Sequence, residues 1–284
     1  MTIAAGIVTF NPDVARLEEN LDAIVDQVDI VRVIDNNSSN IDEIRRLTER
    51  YRNVVVIERL ENHGIAAALN IIVENAAADE AQWVLLLDQD SVCSTNMIDV
   101  LMSRTGDRVG IVCSNILDPN VRSGSDPTGP TVYEVDACIT SGSLCNVTAW
   151  SVVEGYDEQM FVDYVDFEFC LRLRMAGYTI VRDTAASIQH EFGAGRVHWR
   201  FTTYNYSSRR LYTMARDIVY YAIKHRRSPK SLKPYDHGLF GHLLALAERA
   251  ATITLFEREK GRKVAAIISG VFDALTHRPA KRSR

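Results

Sequence analysis

The chain has 284 residues, 46% hydrophobic and 24% charged, with a net charge of −5. That is enough chain for a large core at ordinary globular composition, and the acidic balance argues against a nucleic-acid binder. Five cysteines (93, 113, 138, 145 and 170), odd in number and without C-x-x-C spacing, predict reduced core thiols and neither a disulfide framework nor a zinc site.

The first half alternates strand and helix. Ile3 to Phe10 reads as a strand, and no basic region leads into it, so no signal peptide is expected. Asn11-Pro12-Asp13 is a turn before a helix running to Val25. Ile30 to Ile34 is a second strand, Ile41 to Tyr51 a helix, Val54 to Ile57 a third strand and Gly64 to Ala77 an Ala-rich helix. Trp83-Val84-Leu85-Leu86-Leu87 is an apolar run of the kind buried in a parallel sheet. Strands separated by helices of this length predict βαβ units.

The second half is less regular. Asp118 to Val132 is rich in Gly, Pro, Ser and Asp and predicts a loop. Glu134 to Thr140 and Gly142 to Val147 read as strands around Ser141-Gly142. Tyr164 to Ala176 is a helix stopped by Gly177, followed by strands at Tyr178–Val181 and Ala185–His190. Beyond Tyr206 the pattern is helical nearly to the end. Basic clusters, Lys224 to Arg227 and Lys281 to Arg284, bracket two stretches of helical apolar spacing. These predict either a packed helical subdomain or a surface touching an anionic membrane or a partner. No window reaches the ~18 uninterrupted apolar residues of a membrane span.

Two strands end in carboxylates. Ligands of open α/β sheets sit at the carboxyl ends of the strands, so Asp35 and the pair Asp88/Asp90 point at the expected site. Asp35 suits a hydrogen bond to a base or ribose; an Asx turn with Asn36 and Asn37 is the alternative, and the two are compatible. Asp88 and Asp90 suit a hard divalent cation sharing its shell with a phosphate; a helix cap or solvated turn is the alternative. Asn62-His63-Gly64 opens a helix where a ligand can approach the backbone; a simple helix entry with small residues for packing is the alternative.

The block from Phe161 to Arg172 carries Asp163, Asp166 and Glu168 among aromatics. Acidic groups in apolar surroundings need partners, and a desolvated carboxylate is a candidate general base. Glu168 and Arg172 also have the i,i+4 spacing of an ion pair. His190 is either structural or a ligand of a metal or diphosphate. Thr9, Ser141 and Gly142 are candidate ligand contacts by location. His198, Arg200, Arg209, Arg210 and Arg216, with Tyr204, Tyr206 and Tyr212, are candidates for holding a diphosphate; a solvated helix face is the alternative.

The ordered set of segments resembles the inverting family 2 glycosyltransferases, and within them the bacterial rhamnosyltransferases that use dTDP-rhamnose. The matching pieces are Ile7–Pro12, Ile34–Ser38, Asn62–Asn70, Leu87–Ser91, Ile139–Ser143, Phe161–Arg172 and His190, with Ile268–Asp273 in the tail. The resemblance implies the GT-A fold, a Rossmann-like, mainly parallel mixed sheet flanked by helices. A transferase domain would span residues 1–225, and a helical subdomain contacting membrane or partner would span 226–284. It implies that Thr9, Asp35 and Asn70 hold the nucleoside, with Gly64 giving backbone access and Asp88, Ser141, Gly142 and Arg172 lining the donor. Asp90 and His190, with Asp88, would hold Mg²⁺ or Mn²⁺, and Asp166 would be the base.

It further implies a nucleotide-sugar donor and a glycan or lipid-diphosphate-linked glycan acceptor in surface polysaccharide synthesis. The expected location is cytoplasmic, with peripheral contact at the membrane's cytoplasmic face and room for a homo-oligomer. Another donor, UDP-galactofuranose or a UDP-hexose, is one alternative reading, and a non-catalytic sugar-nucleotide-binding protein is another. Two positions depart from the family pattern. Val165-Asp166 stands where many members have Glu-Asp, which leaves Asp163 as a rival base. Arg216-Asp217 stands where the subgroup often has Arg-Asn.

Overall fold

The computed structural model describes residues 2–117, 131–189, 196–198, 201–233 and 237–276. The chain divides into two compact units. One comprises Met1–Asp157 with Asp166–Phe192, the other Glu158–Val165 with Gly193–Arg284.

The first unit is built on a mixed sheet with nine strands among the described residues. Its parallel part consists of β1 (Ile3–Thr9), β2 (Ile30–Asp35), β3 (Val54–Glu58) and β4 (Trp83–Asp88), in the order β3-β2-β1-β4. Val84, Leu85 and Leu86 of β4 are fully buried, as the apolar run requires of a strand covered on both faces. Helices α1 (Val14–Ile24), α2 (Ile41–Thr48) and α3 (Ile65–Ala78) make the connections. Asp13 caps α1 by accepting from the amides of Ala15 and Arg16. Leu17, Leu21 and Ile24 of α1 pack with Ile7, Val33, Leu85 and Leu87 in the core.

Beyond β4 come β5 (Val92–Cys93), α4 (Met97–Met102), β6 (Val109–Leu117), β7 (Val132–Glu134), β8 (Ser143–Asn146), α5 (Val147–Val152), α6 (Val165–Met175) and β9 (Thr179–Gln189). β8 joins β4 antiparallel, and the sheet continues β8-β6-β9-β5. All five cysteines are free and buried.

The second half departs from the sequence reading in three places. The expected strand at Glu134–Thr140 is only the end of β7, and Val135 onward is irregular. β5, α4, β6 and α5 have no counterpart in the sequence reading, being too short or too uniformly apolar to show a period. The two strands expected at Tyr178–Val181 and Ala185–His190 are one, β9. Its polar middle, Arg182-Asp183-Thr184, coincides with a register shift against β6. Asp183 stays inside because Arg104 pairs with it at 2.8 Å and the amide of Ala185 donates to it at 2.9 Å. The predicted loop at Asp118–Val132 falls, to residue 130, outside the described residues.

The second unit contains the short hairpin β10 (Arg196–His198) and β11 (Phe201–Thr203), then α7 (Ser208–Lys224), α8 (Gly238–Phe256) and α9 (Lys260–Thr276). It takes in α7, which a division at residue 225 assigns to the first part. Leu211, Ala215 and Val219 of α7 pack with Leu246 and Ile253 of α8 and with Ile267 and Ala274 of α9. By length and composition α8 could cross a membrane, although Glu248 and Arg249 interrupt its apolar run.

Candidate active site

The carboxyl ends of β2, β1 and β4 lie side by side. Thr9 faces Asp35 in the β1–β2 register, and Val8 faces Asp88 in the β1–β4 register. The Thr9 hydroxyl donates to Asp35 Oδ1 at 2.9 Å, and both residues are almost fully buried. The Ser38 hydroxyl donates to the same oxygen at 2.5 Å, and its amide donates to Oδ2 at 2.8 Å. Asp35 therefore closes an Asx-type turn with Ser38 at the end of β2.

Gly64 sits at the start of α3 with φ 89° and ψ 177°, a backbone region open in practice only to glycine. Asn62 Oδ1 accepts from its amide at 2.9 Å. The Asn36 side chain donates to the Gly64 carbonyl at 3.3 Å, tying the end of β2 to the start of α3. Asn36 Oδ1 is buried without a hydrogen-bond partner among the described residues. In the sequence an Asn after a strand looks like any turn residue, so nothing local marks Asn36 as facing the site.

The turn Asp88–Ser91 is braced from three sides. The Asp88 amide donates to Ser141 Oγ at 3.0 Å, and that hydroxyl donates to Ser91 Oγ at 2.7 Å. The Asn20 side chain donates to the Asp88 carbonyl at 2.8 Å. Arg16 Nε donates to the Asp90 carbonyl at 2.9 Å, and its Nη2 donates to the Gln189 carbonyl at 3.3 Å. Arg16 thus links the turn to the end of β9, a role that no motif signals. Gly142, at φ 76°, donates to the Leu86 carbonyl and accepts from Ser114. A Cβ there would run into the Ser114 hydroxyl and Ile188. Ser141 and Gly142 are therefore brought to the carboxylate turn.

His190 lies outside the described residues. Gln189, which precedes it, pairs with Val92, two positions after Asp90. Among the described residues, no three His, Cys, Asp or Glu side chains form a metal cage. The donor set nevertheless fits a hard cation. Asp88 and Asp90 offer carboxylate oxygens at a partly exposed strand end, and Mg²⁺ or Mn²⁺ takes such ligands together with phosphate oxygens.

Asn70 and Arg172 are engaged internally. Asn70 Oδ1 accepts from the Tyr156 amide at 2.7 Å and from Trp150 Nε1 at 3.1 Å, while its Nδ2 donates to the Tyr156 carbonyl at 3.0 Å. It braces α3 against the segment after α5. Arg172 grips the fully buried Glu168 through Nε at 2.8 and 2.9 Å and Nη2 at 2.7 Å, and also donates to the Val153 carbonyl. The predicted i,i+4 pair is present. Asp166 stands in the first turn of α6, where the helix dipole favours an anion, and its Oδ1 accepts from the Phe167 amide at 2.8 Å. Tyr156 stacks on Phe169 at 4.0 Å, and burial first, with Asp166 among the lesser causes, pushes its hydroxyl pKa well up.

In the second unit, Asp163 pairs with Arg210 at 3.0 Å. Burial raises the Asp163 pKa against the pull of Arg210, and its Oδ2 has no hydrogen-bond partner among the described residues. Asp217 accepts from the amides of Phe161, Val162 and Asp163 at 2.8, 3.0 and 3.4 Å, while Arg216 holds its other oxygen at 2.7 Å. The Arg216-Asp217 departure therefore shapes the 161–163 segment.

Residues 5–148 match the profile described as Glycosyl transferase family 2. The chain belongs to that family. This family 2 chain is 27% identical over 187 residues to the dTDP-rhamnosyl transferase RfbF of Shigella flexneri, a match spanning 60% of the chain and 62% of the relative. Among solved structures, GalNAc-T7 with UDP, GalNAc and Mn²⁺ superposes with a TM-score of 0.62 at 14% identity, over 95% of this chain and 54% of that one. The S. aureus TarS 1-349 complex with UDP-GlcNAc superposes with a TM-score of 0.54 at 15% identity, over 95% and 82%. The shared architecture is the GT-A fold expected from the sequence.

Proposed function

We propose that the chain is an inverting glycosyltransferase moving L-rhamnose from dTDP-β-L-rhamnose to a hydroxyl of a glycan acceptor. The acceptor would be lipid-linked, in bacterial surface polysaccharide synthesis. The observation that carries the reading is the row of Thr9, Asp35, Asp88 and Asp90 at the ends of three adjacent strands, inside the family-matched region. The donor choice is supported by the name of the 27% relative.

In this reading Thr9, Asp35 and the backbone at Gly64 receive the nucleoside, with Asn36 Oδ1 as an added acceptor. Ser141, Gly142 and Arg16 keep the carboxylate turn in shape. Asp90, with Asp88 and His190, would hold Mg²⁺ or Mn²⁺, which when bound offsets charge on the departing diphosphate. Asp166 takes the proton from the acceptor hydroxyl. That oxygen bonds to the anomeric carbon as the carbon–phosphate oxygen bond breaks, and the bonding pair leaves with the diphosphate. Displacement from the opposite face inverts the centre and gives an α-linked product.

A second assignment of the base is favoured by one observation. Asp163 has a raised pKa and an unpartnered buried oxygen, both properties of a general base. Comparing Asp166→Asn with Asp163→Asn decides between them. The donor is tested by assaying purified protein over a panel of nucleotide sugars with Mn²⁺ and then EDTA. The expected result is metal-dependent release of dTDP from dTDP-rhamnose alone. Release from a UDP-sugar instead would overturn the rhamnosyl assignment and keep the class. Saturable nucleotide binding without turnover, in the presence of lipid-linked acceptor, would favour the non-catalytic reading.

A further inference from the structure

The outer face of α8 and α9 is apolar, continuous along each helix and exposed. On α8, Phe240 (81% exposed), Leu244 and Leu255 stand outward, with the small residues Ala247 and Ala251 between them. The spacing of 4, 3, 4 and 4 residues keeps them on one face. On α9, Ile268 (63%), Phe272 (62%) and Leu275 repeat the pattern. Half of the sixteen large exposed hydrophobic residues described in the chain lie in these two helices. Large apolar side chains clustered on one face mark an interaction surface, whereas scattered single ones do not.

Charge decides what covers it. From Arg226 to the end, the sequence carries 13 Lys and Arg against five Asp and Glu, in a chain whose net charge is −5. The preceding 225 residues carry 19 against 32. Arg258, Lys260 and Arg262 are exposed where α8 passes into α9, and Arg226, Arg227 and Lys230 are exposed between α7 and α8. A second copy meeting this face would bring two strongly basic segments together. An anionic lipid surface accepts both the apolar side chains and the cations.

We infer that the outer face of α8 and α9 seats in the plane of an anionic membrane surface. The helix lies on the membrane and does not span it. Leu246 and Ile253, on its inner side, are committed to the core with α7 and α9, and Glu248 and Arg249 interrupt it at mid-length. Arg249 stacks over Tyr204 and Tyr206 at 5.1 Å, holding that side to protein. The apolar face anchors, and the cations set the preference for anionic headgroups.

The test is flotation of the full chain with vesicles of phosphatidylcholine, alone or mixed with phosphatidylglycerol, at low and high salt. The expected result is binding to the mixed vesicles, weakened severalfold by salt. The exposed-face variant Phe240→Ser/Leu244→Ser/Phe272→Ser should bind roughly tenfold more weakly. The charge variant Arg258→Gln/Lys260→Gln/Arg262→Gln should do the same, by roughly tenfold. Circular dichroism and Tm should be unchanged in both, and if the apolar variant unfolds, the charge variant carries the test. Absent binding, equal binding to both vesicle types, or binding unaffected by the variants would overturn the inference. So would a dimer in solution that the apolar variant dissolves.

Discussion

In the first unit the polar groups turn inward. Thr9, Asp35, Ser141 and Glu168 are buried and hydrogen-bonded, and they fix the ends of strands and the first turns of helices. In the helical unit the apolar groups turn outward, and Phe240, Leu244 and Phe272 face solvent over a small core of Leu211, Leu246 and Ile267. Buried polar networks hold a fixed geometry, which is what positioning a donor requires. An exposed apolar face with basic flanks has no such geometry to keep. It tolerates substitution within the protein and acts only through what it touches.

Five substitutions break or sharpen that contrast. The largest effect is expected at the proposed base: Asp166→Asn should lower turnover by about 10²–10⁴-fold. Asp163→Asn should lower it by much less, read from steady-state rates on the same donor. Next is Arg172→Met, which removes the guanidinium gripping the buried Glu168 carboxylate and should destabilise the protein by about 3–5 kcal/mol, measured by denaturant unfolding. Gly142→Ala forces a side chain into a left-handed position against Ser114 and Ile188. It should cost about 1–3 kcal/mol and shift the midpoint in the same experiment.

The smallest effect belongs to the second unit. Burial first, against the pull of Arg216, holds the folded-state pKa of Asp217 above its unfolded value. The folded form therefore keeps its proton longer. Stability from this group is full below the unfolded pKa and falls as pH rises through the raised one. Asp217→Asn retains an oxygen for the Phe161 and Val162 amides and loses the titration. The variant's stability should therefore decline less between acid and neutral pH, a difference read from unfolding curves across that range.

The parallel half of the fold was legible because its strands are uniformly apolar and its helices periodic. The ends of β2 and β4 announce themselves as carboxylates after such runs. The braces were not legible. Arg16, Asn20 and Asn36 reach the site by folding, and nothing in their local sequence differs from that of a solvated helix or a turn. Asn70 and Arg172 illustrate the converse. The resemblance attaches them to the ligand, while their side chains are occupied by Tyr156, Trp150, Glu168 and Val153. β9 was split in the reading because a buried Asp183 paired with Arg104 has the sequence appearance of a turn.

The central claim is that the strand-end carboxylates form a metal-assisted nucleotide-sugar site. Calorimetric titration of dTDP into the full chain and into Asp90→Asn, each with Mn²⁺ and with EDTA, tests it most directly. The account predicts saturable binding by the parent chain that weakens at least about tenfold when Mn²⁺ is removed, and equally weak binding by the variant under either condition. Binding by Asp90→Asn as tight as the parent's, and as dependent on Mn²⁺, would contradict it.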